Sequence, residues 1–150
     1  MATVFFSWQS DTPTRTGRNF VRDVLDQACA DIAGDTTIDE ALRSDLAVDS
    51  DTQGEAGQPP IAETIFRKID GASVFVADMT FTNTRPDGRP SPNPNVLIEY
   101  GWALKSLGHA RVISVMNDTP TELRAGTPCR LILPMFAGLR AFRFLRMLQR

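Results

Sequence analysis

The chain has 150 residues, of which 42% are hydrophobic and 23% charged, and its formal net charge is -2. This size and composition predict one folded domain over residues 1–150, with a single sizeable core. The weak negative charge argues against nucleic acid as a partner, and the lack of an apolar run of about 18 residues argues against a membrane-spanning helix.

The first half of the chain alternates strand-like and helix-like segments. Thr3–Phe6 is rich in β-branched and aromatic residues and is predicted as a strand, followed by the polar segment Ser7–Asp11. Apolar residues at helical spacing predict an amphipathic helix over residues 19–33. A second strand is expected near residues 36–38 or near residues 46–48, with a short helix in the rest of that stretch.

The middle of the chain continues the alternation. Residues 49–60 are rich in turn formers and are predicted as a loop, and isoleucines four apart predict a second helix from residue 61 to about residue 70. Ser73–Ala77 is a continuous apolar run that stops at Asp78, which is typical of a strand buried on both faces of a parallel sheet. The polar residues 82–94, with four prolines, are predicted as a long ordered loop.

Residues 92–105, with the sequence PNPNVLIEYGWALK, predict a helix that carries a carboxylate near its start. The Asn–Pro units delay the helix, so either Asn93 or Asn95 is the expected N-cap. Glu99 then falls within about two turns of the N-terminus, where the helix dipole favours an ionised carboxylate. The alternative is a salt-bridged or solvated helix glutamate.

The last third of the chain is expected to complete an α/β fold. Residues 111–116 are predicted as a buried strand, residues 130–133 as a last strand and residues 139–148 as a closing helix. Strands that alternate with helices imply right-handed βαβ units around a parallel sheet.

In such sheets ligands bind outside the carboxyl ends of the strands, where the strand order switches. That rule groups polar residues from four segments into one predicted crevice. The alternative is that each polar residue is only a loop former or a helix cap, and this alternative is favoured for Asp11 and Asp51 taken singly. Trp8 could equally be a half-buried core residue. The grouped residues are Ser7, Trp8, Asp11, Asp49, Asp51, Asp78 and Glu99.

If the protein is an enzyme, the residues of this crevice predict that its catalytic groups are carboxylates. The sequence contains no glycine-rich phosphate loop and no nucleophile elbow, and its one histidine and two distant cysteines predict no metal site and reduced thiols in a cytoplasm. A carboxylate beside a sugar carbon stabilises an oxocarbenium-like transition state. For NAD+ the nicotinamide leaves as a neutral group, so no acid is needed and one glutamate with good positioning of the substrate is expected to suffice. For an ordinary nucleoside a second carboxyl such as Asp78 would protonate the base, and Trp8 or Tyr100 could stack on a planar base.

Five segments of the chain resemble bacterial Toll/interleukin-1 receptor-like (TIR-like) domains, and the resemblance covers roughly residues 3–117. These segments read FFSWQSD, DTQG, IAETIF, VFVADMT and NPNVLIEYGWALK. They lie at Phe5–Asp11, Asp51–Gly54, Ile61–Phe66, Val74–Thr80 and Asn93–Lys105.

The resemblance implies a flavodoxin-like three-layer sandwich with a central, mainly parallel sheet of about five strands. It also implies hydrolysis of NAD+ to nicotinamide and ADP-ribose or a cyclic form, often as an effector of antiphage defence. NAD+ is then a substrate, with no further cofactor, and the chain is expected to be cytoplasmic and to form homo-oligomers through TIR-like contacts.

The family's catalytic glutamate corresponds to Glu99, and its nucleotide-contacting loop corresponds to Ser7–Asp11. The loop that mediates assembly or gates the site corresponds to residues 49–60. The residues expected to bind the substrate are Ser7, Trp8, Asp11, Asp49, Asp51, Asp78 and Asn95.

Two alternatives accompany this interpretation. The same layout resembles nucleoside 2-deoxyribosyltransferases, in which the helix glutamate is the nucleophile and aspartates help with the base or sugar, although the FFSWQSD opening favours the TIR-like family. A non-catalytic module that binds a nucleotide or another TIR domain is the other alternative. From about residue 118 the chain departs from the TIR-like pattern, because Thr121–Met135 replaces the usual LPFDL-type segment.

Overall fold

The structure is a computed structural model. The predicted last strand at residues 130–133 and the predicted closing helix at residues 139–148 lie outside its described residues. Within the described part, no helix combines the length and the apolar character needed to cross a membrane. The described residues are 2–38, 40–43, 46–51 and 60–117.

The elements alternate along the chain much as the sequence predicts. The strands are β1 (Ala2–Ser7), β2 (Leu46–Asp49), β3 (Val74–Asp78), β4 (Asn83–Thr84), β5 (Pro90–Ser91) and β6 (Val112–Val115). The helices are α1 (Arg18–Gly34), α2 (Glu40–Arg43), α3 (Ile61–Gly71) and α4 (Pro94–Leu107), with a 3-10 turn at His109–Arg111.

The main sheet has four described strands in the order β2-β1-β3-β6, and every pair in it is parallel. The chain therefore moves outward from β1 to β2 and then returns to the other side of β1. Right-handed connections on the two sides of this reversal place α1 on one face of the sheet and α3 and α4 on the other. The architecture is the flavodoxin-like α/β sandwich that the sequence predicts, with four sheet strands in the described part instead of about five.

Alternation along the strands divides the core between the two faces. Phe5, Phe75 and Ala77 belong to one buried cluster, which α3 and α4 cover. Val4 and Val76 belong to the other, which packs against α1. Both faces of the strands are covered, which explains why the strand sequences are continuously apolar instead of alternating.

Two choices that the sequence leaves open are resolved by the backbone. The second strand is the one near residues 46–48, and the short helix α2 precedes it. The N-cap of α4 is Asn93, whose Oδ1 accepts a hydrogen bond from the Asn95 backbone N–H at 2.8 Å. Pro94 then occupies the first helical position, where its missing N–H costs nothing.

The predicted ordered loop at residues 82–94 contains a small antiparallel hairpin of β4 and β5. The Arg85 N–H donates to the Arg89 carbonyl at 2.8 Å and closes its turn. Gly88 lies in that turn with φ of 78°, a conformation that glycine adopts without strain. The sequence did not predict this pairing, because prolines are unfavourable inside strands and β5 begins with one.

Candidate functional site

A cleft of about 240 Å³ opens at the carboxyl end of β1, where the strand order reverses. One wall is the end of β1 and the residues that follow it, and the other is the start of α4. Ile61 and Ile65 on α3 and Asp51 after β2 complete the lining. Ser7, Trp8, Asp51, Asn95 and Glu99, five of the residues that the sequence assigned to the site, line this cleft.

Glu99 lies half-buried in the second turn of α4 and lines the cleft. Burial raises the pKa of its carboxyl group above the ordinary value, since the charged form loses solvation. The Ser7 hydroxyl acts in the opposite direction and lowers this pKa, and the charge of Asp51 raises it further. Glu99 therefore lies in an environment that strengthens its interaction with any positive charge in the cleft.

The salt-bridged alternative for Glu99 does not describe the observed geometry. Across residues 2–38, 40–43, 46–51 and 60–117, no cation forms an ion pair with this carboxylate. The ionised Glu99 carboxylate is desolvated, and the charge that acts on it is that of the Asp51 carboxylate, not that of an arginine or lysine. Perturbed carboxyl groups in clefts of this kind are candidates for functional residues.

Ser7 ends β1 and is only 2% exposed. Its Oγ is buried and has no hydrogen-bond partner, so its influence on Glu99 reflects closeness and not a well-formed hydrogen bond. A hydroxyl can rotate its proton toward a carboxylate or toward a ligand oxygen. Ser7 is therefore placed to donate to Glu99 or to a ligand hydroxyl in the cleft.

The two aspartates after β2 have different environments. Asp49 pairs with Lys68 of α3, with an Nζ–Oδ2 distance of 3.0 Å, and its Oδ1 accepts from the Ser50 N–H at 2.8 Å. Asp51 has a positive φ of 60° and lines the cleft. The structure thus puts Asp51 with Glu99, while Asp49 fastens α3 to the end of β2.

Trp8 combines the two roles that the sequence left open. Its half-buried ring packs against the cluster on the α1 face and also lines the cleft. The Arg18 guanidinium lies over the ring, with its Cζ 3.9 Å from the ring centroid. Tyr100, the other aromatic candidate, packs against the cluster beneath α3 and α4 and does not line the cleft.

Asp11 and Asn95 both form hydrogen bonds with the side chain of Asn93 at the start of α4. The Asn93 Nδ2 donates to Asp11 Oδ2 at 2.5 Å, and the Asn95 N–H donates to Asn93 Oδ1. Asp11 is exposed and outside the cleft lining, whereas Asn95 lies within it. Asp11 therefore joins the loop after β1 to the start of α4.

Asp78 is separated from Glu99 by the sheet. It is 2% exposed, ends β3 and lines a separate cavity of about 10 Å³ beside Gly17 and Val21 at the start of α1. Its Oδ1 accepts from the Thr80 N–H at 3.0 Å, while its Oδ2 has no partner. Burial raises the pKa of this carboxyl group, and the polar groups of Thr80 and Gln9 close to it partly offset the rise.

Gln9 is the residue of this site that the sequence analysis missed. It is 3% exposed, and its Nε2 donates to the Thr80 carbonyl at 2.7 Å. Its Oε1 accepts from the Thr82 hydroxyl at 3.3 Å and from the Asn93 N–H at 3.0 Å. One amide therefore joins the segments after β1 and β3 to the start of α4. The only signal in the sequence was its place inside the FFSWQSD segment.

In the part of the chain that the structure describes, no three histidine, cysteine, aspartate or glutamate side chains are grouped as a metal ion would require. Comparison with models of known protein families and with curated proteins found no match.

Replacing Gln9 with alanine is expected to lower the free energy of unfolding by about 2–4 kcal/mol, because the part-buried Thr80 carbonyl and Asn93 N–H lose the partner that Gln9 supplies. Urea denaturation measures the change. Gln27→Ala is the matched control, since Gln27 is exposed and its side chain makes one hydrogen bond among the described residues, to Asp31 at 2.8 Å. The control should change the free energy by less than about 0.5 kcal/mol. Equal costs for both variants would contradict the joining role of Gln9.

Asp78→Asn is expected to stabilise the protein increasingly as the pH rises. The raised pKa of Asp78 means that the folded state favours its protonated form, so its ionisation costs stability as the pH rises above the ordinary value of 3.8. Asparagine keeps the acceptor for Thr80 without that charge. The stability of Asp78→Asn relative to the wild type should therefore grow as the pH rises above the ordinary aspartate pKa of 3.8.

Thermal unfolding between pH 3.5 and pH 7 measures this gain, and Asp23→Asn, at an exposed position on α1, controls for the loss of one charge. A stability difference between Asp78→Asn and the wild type that stays constant with pH would show that Asp78 does not titrate as described.

Proposed function

We propose that the chain is a TIR-like NAD+ hydrolase that breaks the N-glycosidic bond between nicotinamide and ribose. The observation that carries the proposal is the half-buried Glu99 carboxylate, with its raised pKa, in a cleft at the reversal of strand order. Nucleotides bind at this position in open parallel α/β sheets. The motifs that resemble TIR-like domains supply several of the lining residues, including Ser7, Trp8 and Glu99.

The reaction needs negative charge beside the ribose and little else. As the glycosidic bond breaks, its electron pair leaves with nicotinamide, which departs neutral, and positive charge develops on the ribose. The Glu99 carboxylate would stabilise that charge, and more strongly because it is poorly solvated. Water then adds to the ribose carbon and loses a proton, giving ADP-ribose.

The negative charge of the cleft also favours binding of intact NAD+, whose nicotinamide ring is a cation until the glycosidic bond breaks. Asp51 and Glu99 both line the cleft, and each repels the other when ionised. A pyridinium ring between them would relieve that repulsion. Ser7 would hold the Glu99 carboxylate or a ribose hydroxyl through its unpartnered Oγ.

A second candidate is a base-exchange enzyme related to nucleoside 2-deoxyribosyltransferases. One observation favours it: Asp51 shares the cleft with Glu99, so a second carboxyl is available to protonate a departing base. Asp78, which the sequence suggested for that role, lines the other cavity. Transfer of deoxyribose between two bases without consumption of NAD+ would favour this candidate. Homo-oligomer formation, a cytoplasmic location and a role in antiphage defence stay predictions.

Glu99→Gln is expected to lower kcat for nicotinamide release from NAD+ by about 100-fold or more, because the amide cannot stabilise the developing charge. Release is measured by chromatography of concentrated protein with NAD+. Glu63→Gln, the same change at an exposed position on α3, should leave the rate unchanged. Nicotinamide release that survives in Glu99→Gln would remove Glu99 from the mechanism.

The rate is expected to rise with pH through the raised pKa of Glu99 and then to level off, since the ionised form is the active one. Asp51→Asn should shift this rise to lower pH, because Asp51 raises the Glu99 pKa. Ser7→Ala should shift it to higher pH, because Ser7 lowers that pKa. Profiles of kcat/KM against pH for the three proteins test this, and identical midpoints would contradict it. In a base-exchange enzyme, Asp51→Asn would instead abolish transfer at every pH.

A further inference from the structure

An arginine stacks on an aromatic residue that lines the acidic cleft. The guanidinium of Arg18, at the first position of α1, lies 3.9 Å from the centroid of the Trp8 ring, and Trp8 lines the cleft. Stacking on an aromatic ring fixes the orientation of a guanidinium while it leaves the N–H groups at its edge available. Arg18 is thus held beside the cleft in a defined position.

The hydrogen-bond donors of Arg18 are unused by the described residues, in which they make neither a hydrogen bond nor an ion pair. Two other cations, both at the end of β2, have partners of their own. Arg22 bonds to Asp26, to Ser50 and to the Val48 carbonyl, and Lys68 pairs with Asp49. A half-buried, oriented arginine with unused donors is suited to bidentate contact with an anion, above all a phosphate or carboxylate.

The size of the cleft determines where such an anion would lie. Its volume of about 240 Å³ is below the usual range for small-molecule pockets, which is about 300–1,000 Å³. A dinucleotide with its ribose at Glu99 therefore has to extend past the walls. The acidic lining of Asp51 and Glu99 would repel phosphate groups, so they are expected on the side of the Trp8 wall where Arg18 lies.

We propose that Arg18, stacked on Trp8, binds the phosphate groups of the substrate, so that the site selects a phosphorylated ribosyl donor over the bare nucleoside. This inference rests on the proposed function, because it assumes that a ribosyl compound occupies the cleft beside Glu99. Trp8 would contact the ligand with the part of its ring that faces the cleft, while Arg18 covers the ring elsewhere.

The chain contains a second stacked pair that serves as a matched control. Lys105 lies over Trp102 on the same helix as Glu99, at 5.2 Å from the ring centroid, and neither residue lines the cleft. Lys105→Ala removes one positive charge and one cation–aromatic contact, as Arg18→Ala does. A general effect of charge or of tryptophan stacking would appear in both variants.

The test compares two substrates with the same glycosidic bond. Cleavage of NAD+ and of nicotinamide riboside, which has no phosphate, is measured for the wild type, Arg18→Ala, Arg18→Lys and Lys105→Ala. Arg18→Ala should lower kcat/KM for NAD+ by about tenfold or more and leave that for nicotinamide riboside within about twofold. Arg18→Lys should fall between Arg18→Ala and the wild type, and Lys105→Ala should match the wild type. Equal losses on both substrates, or no loss, would overturn the inference.

A binding measurement separates this inference from the proposed function. Calorimetry with ADP-ribose, which carries both phosphates, needs no turnover, and Arg18→Ala should raise its Kd by about tenfold or more. If the wild type cleaves NAD+ and Arg18→Ala changes neither catalysis nor binding, the inference fails and the hydrolase remains. If nothing is cleaved but ADP-ribose binding depends on Arg18, the hydrolase fails and the phosphate site remains. If the wild type does not bind ADP-ribose, the phosphate site is wrong.

Discussion

The reversal of strand order at β1 determines where the cleft forms and which residues line it. Because β2 and β3 lie on opposite sides of β1, the helices that lead to them lie on opposite faces, and a gap opens above the end of β1. Ser7 reaches that gap as the last residue of β1, and Glu99 reaches it from the second turn of α4. Strand pairing and helix packing fix the positions of both, and neither depends on a flexible loop for its place.

Gln9 holds together the chain segments that surround the cleft. Its buried amide joins the segments that follow β1 and β3 to the start of α4. The Asn93–Asp11 hydrogen bond adds a second link between two of them. A site carried on segments joined in this way keeps its geometry when a ligand enters, which electrostatic stabilisation of a transition state requires.

The sequence was informative where burial and periodicity decide structure. Apolar runs predicted β1, β3 and β6, and the Asn–Pro pattern predicted the start of α4, because these features reflect local backbone preferences and packing against a sheet. It could not place Asp78, because the side-chain alternation that turns this residue away from Glu99 depends on which helix covers which face. Gln9 was missed because its role comes from contacts with residues more than 70 positions away in the chain.

The proposed hydrolysis requires a ribosyl compound in the cleft, with its glycosidic carbon against residue 99. The most direct measurement is a crystal structure of the Glu99→Gln variant with NAD+. In that crystal, the ribose carbon bonded to nicotinamide should lie within about 4 Å of the side chain at position 99, with the ring system beside Trp8. NAD+ bound on the α1 face near Asp78, or a cleft whose lining contacts no part of the ligand, would contradict the proposed hydrolysis.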